Sequence, residues 1–220
     1  MLARLLVWVA ACGLASLEPA PSTPPVDAAP CIACQAPDAH SLFSADDWIA
    51  LESGDVVRQD LGREGSAAEL AVGQGGASLV PRPPREVWAV LTDFERWPEF
   101  MPLVNKTEIA RRAGARLWVA QSYSVLFYPM HHTTVYELDP TDGVLAWHLD
   151  PEQPHDIASS EGRWQLVAVS EGHATLVRYQ SHIRAGRAVP EFLERRLRER
   201  SLVEMMSALR DAVLRRYPEN

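Results

Sequence analysis

The sequence predicts an α+β fold in which a curved antiparallel sheet wraps around a long C-terminal helix. Residues 104–183 form successive short runs rich in β-branched and aromatic residues, and turn signals at 112–114, 139–143 and 170–172 separate them. Short connections make neighbouring strands antiparallel. Helical patterns lie before and after this stretch, and strands grouped in this way favour an α+β fold over alternating βαβ units.

The alternation of side chains along the predicted strands gives the sheet one apolar, aromatic face and one hydrophilic face. The apolar face carries alternate residues of three strands: Leu145, Trp147, Leu149, Trp164, Leu166, Ala168, Val177, Tyr179 and Ile183. Four residues of an earlier strand are assigned to the same face: His132, Thr134, Tyr136 and Leu138.

The C-terminal segment supplies a helix to cover the apolar face. Its last part places apolar residues on one side at helical spacing: Leu202, Met205, Met206, Leu209, Ala212 and Val213. An upstream stripe lies on roughly the opposite side: Val189, Phe192, Leu193 and Leu197. Because one straight helix cannot bury both stripes against one sheet, we predict a break or kink near Arg200. A short helix then begins at Pro190, and the long helix begins at Ser201, where Ser201 and Glu204 form a capping box.

An accessory helix and two strands are predicted ahead of this sheet. The helix begins at Ser44, with Asp47 in the capping-box position, and ends at Gly54. Candidate strands follow at 56–61 and 69–80, and glycines in the second indicate a bulge or the close approach of another backbone. A further helix begins at Pro84. Thr92 is predicted to cap a second short helix that two later prolines end.

The N-terminus has the order of an export signal. Arg4 precedes an apolar run at 5–11, and small residues and a proline-rich stretch follow. The run is too short to cross a bilayer as a helix. We expect a signal peptide at 1–16 and an exported protein of the bacterial periplasm or cell envelope. Cleavage near Ala15 and lipidation of Cys12, which ends a lipobox-like pattern, are alternatives.

Residues 17–40 form a proline-rich linker that we expect to be extended and disordered. Cys31 and Cys34 form a C-x-x-C pattern in it, without the strand-to-helix turn of a thioredoxin-like site or the further ligands of a zinc site. In an exported protein a local disulfide between these two cysteines is the simplest interpretation.

The formal net charge of −8 gives the chain no long-range attraction to nucleic acid or to anionic lipid, so we expect no nucleic-acid partner. A local exception is an arginine cluster: Arg195, Arg196, Arg198 and Arg200. Such a cluster usually forms a solvated face. The alternative is transient contact with a membrane surface during ligand exchange.

No constellation of catalytic or metal-ligating residues stands out. His131 and His132 are adjacent in a predicted strand and point to opposite faces, so they cannot easily bind one metal ion. His155 and Asp156 lie in a proline-flanked loop, where we expect them to be solvated. The sequence therefore predicts no metal and no cofactor.

Three segments resemble the polyketide cyclase/dehydrase and lipid-transport family, including the coenzyme Q-binding START-like proteins of the SRPBCC superfamily. The most specific is PREVWAVLTDFERWPEFMP at 84–102, which looks like that family's first helix pair almost position for position. EGRW at 161–164 and VP at 189–190 are also similar. The resemblance covers about residues 77–216 and implies a helix-grip fold with a cavity between the sheet and the last helix. Members bind lipids, quinones, polyketides or hormones, and a minority are cyclases.

We accordingly divide the rest of the chain into an accessory helix and first strand region at 41–76 and a START-like domain at 77–217. Aromatic and methionine side chains suit an adaptable apolar pocket, and they suit a plain core equally well. The resemblance makes ten residues candidates for lining the cavity: Trp97, Phe100, His132, Tyr136, Trp147, Trp164, Tyr179, Met205, Met206 and Leu209.

The leading hypothesis for function is non-enzymatic binding or transport of an apolar small molecule that is a lipid, a quinone or polyketide-like. One alternative is an enzyme of the polyketide cyclase or dehydratase type, for which His132 or Tyr136 would supply the acid/base group. Another is a protein-interaction module whose cavity is filled by its own side chains.

Overall fold

The computed structural model describes residues 39–64, 71–125, 128–185 and 191–218. The expected signal peptide, most of the proline-rich linker, and Cys12, Cys31 and Cys34 lie outside these ranges. Within them, no helix combines the length and the apolar character needed to cross a bilayer.

In the described ranges, eight strands form one antiparallel sheet, and three α-helices accompany it. The strands are β1 (Val57–Glu64), β2 (Ala71–Val80), β3 (Val104–Ala113), β4 (Arg116–Val125), β5 (Tyr128–Asp139), β6 (Val144–Leu149), β7 (Ile157–Val169) and β8 (Ala174–Ala185). The helices are α1 (Ala45–Ser53), α2 (Pro84–Leu91) and α3 (Glu191–Arg216), with short 3-10 turns at Ala39–Leu42, Phe94–Glu99 and Ser170–Gly172. The predicted α+β class, with strands grouped between helices, is confirmed.

The sheet has the strand order β1-β2-β8-β7-β6-β5-β4-β3. Strands β3 to β8 follow one another as a meander, and β2 then pairs with β8, with Gly76 opposite Tyr179. The domain boundary expected between residues 76 and 77 therefore falls inside β2. The first two strands are part of the same sheet because β8 would otherwise expose its unpaired backbone groups along an open edge.

Helix α3 is one continuous element of 26 residues, so the predicted break near Arg200 is wrong. Leu, Met, Arg and Glu dominate this segment, and all four are good helix formers. Ser201 and Glu204 have capping-box spacing, but a capping box stabilises a helix start only where the preceding backbone is not helical. The side chains of residues 191–200 lie outside the description, and with them the upstream apolar stripe and Arg195, Arg196, Arg198 and Arg200.

The downstream stripe of α3 packs on the inner face of the sheet, as strand alternation predicted. Leu202, Met206, Leu209 and Val213 are buried in a common core with the apolar face of β4 to β8. Gly76 of β2 lies directly beneath the helix, since a Cβ atom there would stand 3.1 Å from Leu202 Cδ2 and 3.2 Å from Met206 Sδ. The close approach at Gly76 is thus made by side chains of α3, whereas the prediction for the glycines of β2 was a bulge or the close approach of another backbone.

The outer face of the sheet is not uniformly hydrophilic, contrary to the prediction. Trp48 and Leu51 of α1 are buried against Val167, Leu176 and Ala77 in a second apolar core. Strands β7 and β8 carry consecutive apolar residues here, which is the pattern of strands that are covered on both faces. The structure therefore has three layers at this end: α1, the sheet and α3.

Both ends of α1 lie where the sequence predicted them. Thr92, at the end of α2, does not have the predicted role of capping the next short helix. The Ser44 hydroxyl accepts from the Asp47 backbone N–H, Asp47 completes the capping box, and Gly54 ends α1 with a φ of 93°. Thr92, however, ends α2 instead of starting the next turn, and its hydroxyl donates to the Trp88 carbonyl at 2.8 Å. A threonine in the last turn of a helix commonly bonds back to a carbonyl four residues earlier.

Candidate functional site

The candidate site is the inner face of the sheet, the face that α3 covers. Cross-strand pairs arrange its side chains in rows, and Leu138, Leu145, Trp164 and Tyr179 form one row across four strands. The next row contains Tyr136, Trp147, Gly162 and Ser181. Successive rows therefore step along the strands from one end of the face to the other.

One end of this face is sealed. Leu145, Leu166 and Val177 have relative exposures of 0%, 1% and 0%, and they lie in the core beneath α3. Full burial of such side chains contributes roughly 1.5–3 kcal/mol each. This end provides stability and leaves no accessible surface for a ligand.

Aromatic rings form a continuous wall in the middle of the face. The Trp147 and Tyr179 rings are stacked with centroids 5.4 Å apart, and Tyr179 contacts Trp164 at 4.6 Å. Gly162 makes this possible, since a Cβ atom there would collide with the Trp147 ring and with the Gln180 carbonyl. The indole of Trp147 thus occupies the space that a side chain on β7 would fill.

The 3-10 turn after α2 closes one side of this wall. Phe94 lies 4.5 Å from the Tyr136 ring, and Trp97 meets the same ring edge-on at 5.7 Å. The Trp97 indole N–H donates to the Leu91 carbonyl at 3.0 Å, which fixes the ring. Trp97 is therefore part of a closed aromatic cluster with Phe94 and Tyr136.

A buried polar group lies beside this cluster. The Thr134 hydroxyl donates to Gln121 Oε1 at 2.9 Å, and Gln121 Nε2 donates to the Tyr136 hydroxyl at 3.1 Å. All three side chains are at most 4% exposed. Burial raises the pKa of Tyr136 well above its usual value, so the phenol stays protonated.

His132 and Tyr123 extend the polar region toward the other end of the face. His132 lies opposite Gln121, and its ring stacks on Tyr123 with centroids 5.0 Å apart and an angle of 6° between planes. The Nδ1 atom of His132 is buried without a hydrogen-bond partner. Burial lowers the pKa of His132 to about 4; Asp156 opposes this shift, whereas His155 and His131 add to it. The imidazole is therefore neutral near pH 7.

Side chains at this end of the face are partly accessible to solvent. Five inner-face residues are half-buried: Tyr123, Met130, His132, Ser160 and Ile183. Burial nevertheless raises the pKa of Tyr123 above its usual range, so its phenol stays protonated. This end of the face is therefore less completely covered than the sealed end.

The structure brings the ten predicted lining residues to this one region. Seven are buried in the inner core: Trp97, Tyr136, Trp147, Trp164, Tyr179, Met206 and Leu209. Phe100 and Met205 are partly buried against that core, and His132 lies at its more accessible end. Their contact with a ligand stays a prediction.

Sequence reasoning missed Gln121 and Tyr123 as site residues. The alternation in β4 could have found them, because Leu117 and Val119 lie on the same face four and two residues before Gln121. His131 is exposed and His132 points inward, as predicted from their adjacency. Within the described ranges no three His, Cys, Asp or Glu side chains are grouped as a metal site would require.

Comparisons with known proteins agree with this architecture. The STAR-related lipid transfer protein from Xanthomonas axonopodis is 18% identical, with a TM-score of 0.58 over 70% of this chain and 99% of that chain. The Zhui aromatase/cyclase from Streptomyces sp. R1128 is 19% identical, with a TM-score of 0.59 over 66% of this chain and 95% of that chain. A START superfamily protein from Mycobacterium smegmatis is 17% identical, with a TM-score of 0.56 over 65% of this chain and 97% of that chain.

These structures confirm the predicted START-like helix-grip fold. A search of curated proteins found no match. The family model described as polyketide cyclase/dehydrase and lipid transport matches residues 77–216, which is more than half of the chain. The chain therefore belongs to the polyketide cyclase/dehydrase and lipid transport family.

Proposed function

We propose that the protein binds an apolar small molecule between the inner face of the sheet and α3 and acts as a carrier without catalysing a reaction. The supporting observation is the accessible surface of half-buried inner-face side chains, above all Tyr123 beside the wall formed by Trp147 and Tyr179. A concave aromatic surface with a few placed polar groups is the usual form of a small-molecule site. Membership of a family that includes lipid transport supports the same function.

The ligand of this proposal is a lipid, a quinone or a polyketide-like molecule carried in the cell envelope. The envelope location rests on the basic, apolar and small residues of 1–16 alone. The mass of the protein purified after expression in a bacterial host tests it. A mass that includes residues 1–16 would contradict export.

A cyclase or dehydratase is the second candidate, because the inner face also carries polar groups. His132 has an unpartnered, buried Nδ1, and Tyr136 holds a protonated phenol. With its pKa lowered to about 4, His132 is a weak base at neutral pH, so proton abstraction by it would be inefficient. The low basicity of His132 therefore favours binding over catalysis.

Native mass spectrometry and solvent extraction of the purified protein test the carrier function. An apolar fluorescent probe then measures binding to the emptied protein. The variant Ser160→Phe places a ring in the half-buried row beside Trp147, whose indole N–H lies 3.4 Å from the Ser160 hydroxyl. We expect Ser160→Phe to weaken probe binding at least about tenfold, because the ring takes ligand volume.

The matched control is Ser122→Phe. Ser122 is half-buried on the outer face, opposite the exposed His131. It should leave probe binding unchanged, and thermal unfolding of both variants shows whether each one folds. If no molecule co-purifies and no apolar probe binds, the carrier function is wrong and a filled, protein-interacting domain is favoured.

A further inference from the structure

The polar groups of the inner face are held in fixed positions. Thr134 donates to the carbonyl oxygen of Gln121 at 2.9 Å, so the amide nitrogen must face the other way. That nitrogen donates to the Tyr136 hydroxyl at 3.1 Å. With exposures of 3%, 2% and 4%, Gln121, Thr134 and Tyr136 form a preorganised group that water does not reorganise.

His132 adds an unused hydrogen-bonding atom next to this group. It lies directly across from Gln121, and its ring is fixed by stacking on Tyr123. Its Nδ1 is buried and has no partner, which is costly in a folded protein. A ligand atom that exchanges a hydrogen bond with Nδ1 would remove that cost.

Phenol groups face the same region from three strands. The Tyr123 and Tyr179 hydroxyls are close enough to Tyr136 that a charge on any of them would raise the pKa of Tyr136 further. Burial raises the pKa of Tyr179 to about 12, with the Ser181 hydroxyl nearby but outside strict hydrogen-bonding geometry. At neutral pH these groups are all uncharged donors and acceptors.

Among the side chains that the structure describes, this face has no cation to offer. The described inner-face positions of β4 to β8 carry no lysine or arginine, and the α3 residues buried against them are Leu202, Met206, Leu209 and Val213. A carboxylate taken from water would find no cationic partner among these described side chains, and the cost of burying it unpaired exceeds the gain from phenol hydrogen bonds. A neutral oxygen group meets no such cost.

We propose that the site selects neutral apolar molecules that carry a hydroxyl or carbonyl oxygen and rejects carboxylates. The selection depends on hydrogen bonds between the ligand oxygen and the side chains of Gln121, His132 and Tyr136. The inference rests on the proposed function, because it concerns the same face of the sheet. It narrows the ligand class to alcohols, phenols and ketones of low polarity, and it sets fatty acids and other anions aside.

Three probes of one shape test this selectivity by isothermal titration calorimetry at pH 7: naphthalene, 2-naphthol and 2-naphthoate. We expect 2-naphthol to bind about tenfold more tightly than naphthalene, since one net hydrogen bond is worth about that factor. We expect 2-naphthoate to bind most weakly of the three.

The variants Tyr136→Phe and His132→Phe keep a ring and remove the polar atoms. Each should reduce the preference for 2-naphthol over naphthalene, taken as the ratio of the two affinities in the same variant. Tyr217→Phe is the matched control, because Tyr217 follows α3 and its carbonyl accepts from Arg82, whose own carbonyl accepts from Thr175 at the start of β8. The preference of Tyr217→Phe for 2-naphthol over naphthalene should equal that of the wild type.

Two outcomes would overturn the inference and leave the carrier function standing: equal affinity for naphthalene and 2-naphthol, or 2-naphthoate bound as tightly as 2-naphthol. Binding of none of the three probes, together with the absence of any co-purified molecule, would overturn the carrier function itself. Thermal unfolding of each variant separates a lost contact from a lost fold.

Discussion

The stability of the folded protein depends on pH through one half-buried residue, His132. Burial lowers its pKa from 6.5 to about 4. The unfolded chain therefore binds more protons than the folded chain between these values. The contribution of His132 to stability is complete above pH 6.5 and is lost as the pH falls toward 4.

The variant His132→Gln tests this pH dependence. We expect the wild type to lose more of its unfolding free energy between pH 6.5 and 4 than His132→Gln does, as measured by urea unfolding at several pH values. His131→Gln is the control, because His131 is exposed on the opposite face of the same strand. Parallel curves for the wild type and His132→Gln would show that His132 titrates normally.

Gly162 is the residue whose missing side chain shapes the aromatic wall. A Cβ atom there would collide with the Trp147 ring and the Gln180 carbonyl. We expect Gly162→Ala to lower the free energy of unfolding by about 1–3 kcal/mol, the usual cost of overpacking. Near-ultraviolet circular dichroism should change as well, because the Trp147 ring must move.

Gly114→Ala provides the comparison for Gly162→Ala. Gly114 has a φ of 59° and open space around it, so alanine there costs about 1–2 kcal/mol through backbone strain alone. Its near-ultraviolet spectrum should match the wild type. An unchanged spectrum in Gly162→Ala would contradict the assigned position of the Trp147 ring.

Two serines have capping-box spacing, but only one of them begins a helix. Ser44 begins α1 and accepts from the Asp47 N–H, whereas Ser201 lies inside the continuous helix α3. We expect Ser44→Ala to cost about 0.5–2 kcal/mol, as the loss of a cap does. Ser201→Ala should change stability by at most about 0.5 kcal/mol, with a stabilising sign, because alanine is the better helix former.

Urea unfolding of both serine variants measures the difference. A cost of about 1 kcal/mol for Ser201→Ala would indicate that a helix does begin at Ser201 and would restore the predicted break. The comparison is direct, since each substitution removes one serine hydroxyl group.

At the scale of the whole molecule, strand alternation predicted the inner core well. It placed Leu145, Trp164, Leu166 and Val177 on one face, and all four are buried there. Alternation succeeds because the side-chain period of a strand does not depend on its neighbours. The helix break was wrong because the continuity of a helix depends on what each of its faces meets in the folded molecule, which periodicity does not reveal.

The site was predictable only in part, for a related reason. Alternation and resemblance together indicated the aromatic wall. The Gln121 group depends on register, since Gln121 reaches Tyr136 and Thr134 only when β4 and β5 pair as they do. The apolar patch beneath α1 was also missed, because the hydrophilic residues of the same strands masked it.

The three-layer arrangement predicts that α1 stabilises the whole sheet without taking part in binding. Leu51 is 0% exposed against the outer face, whereas Ile49 on the same helix is 65% exposed. We expect Leu51→Ala to lower the free energy of unfolding by about 2–5 kcal/mol, and Ile49→Ala to change it by less than about 0.5 kcal/mol. Probe affinity should stay unchanged in both, since the sheet separates α1 from the inner face. Urea unfolding and probe titration measure the two effects, and a weaker affinity in folded Leu51→Ala would show instead that the outer layer shapes the site.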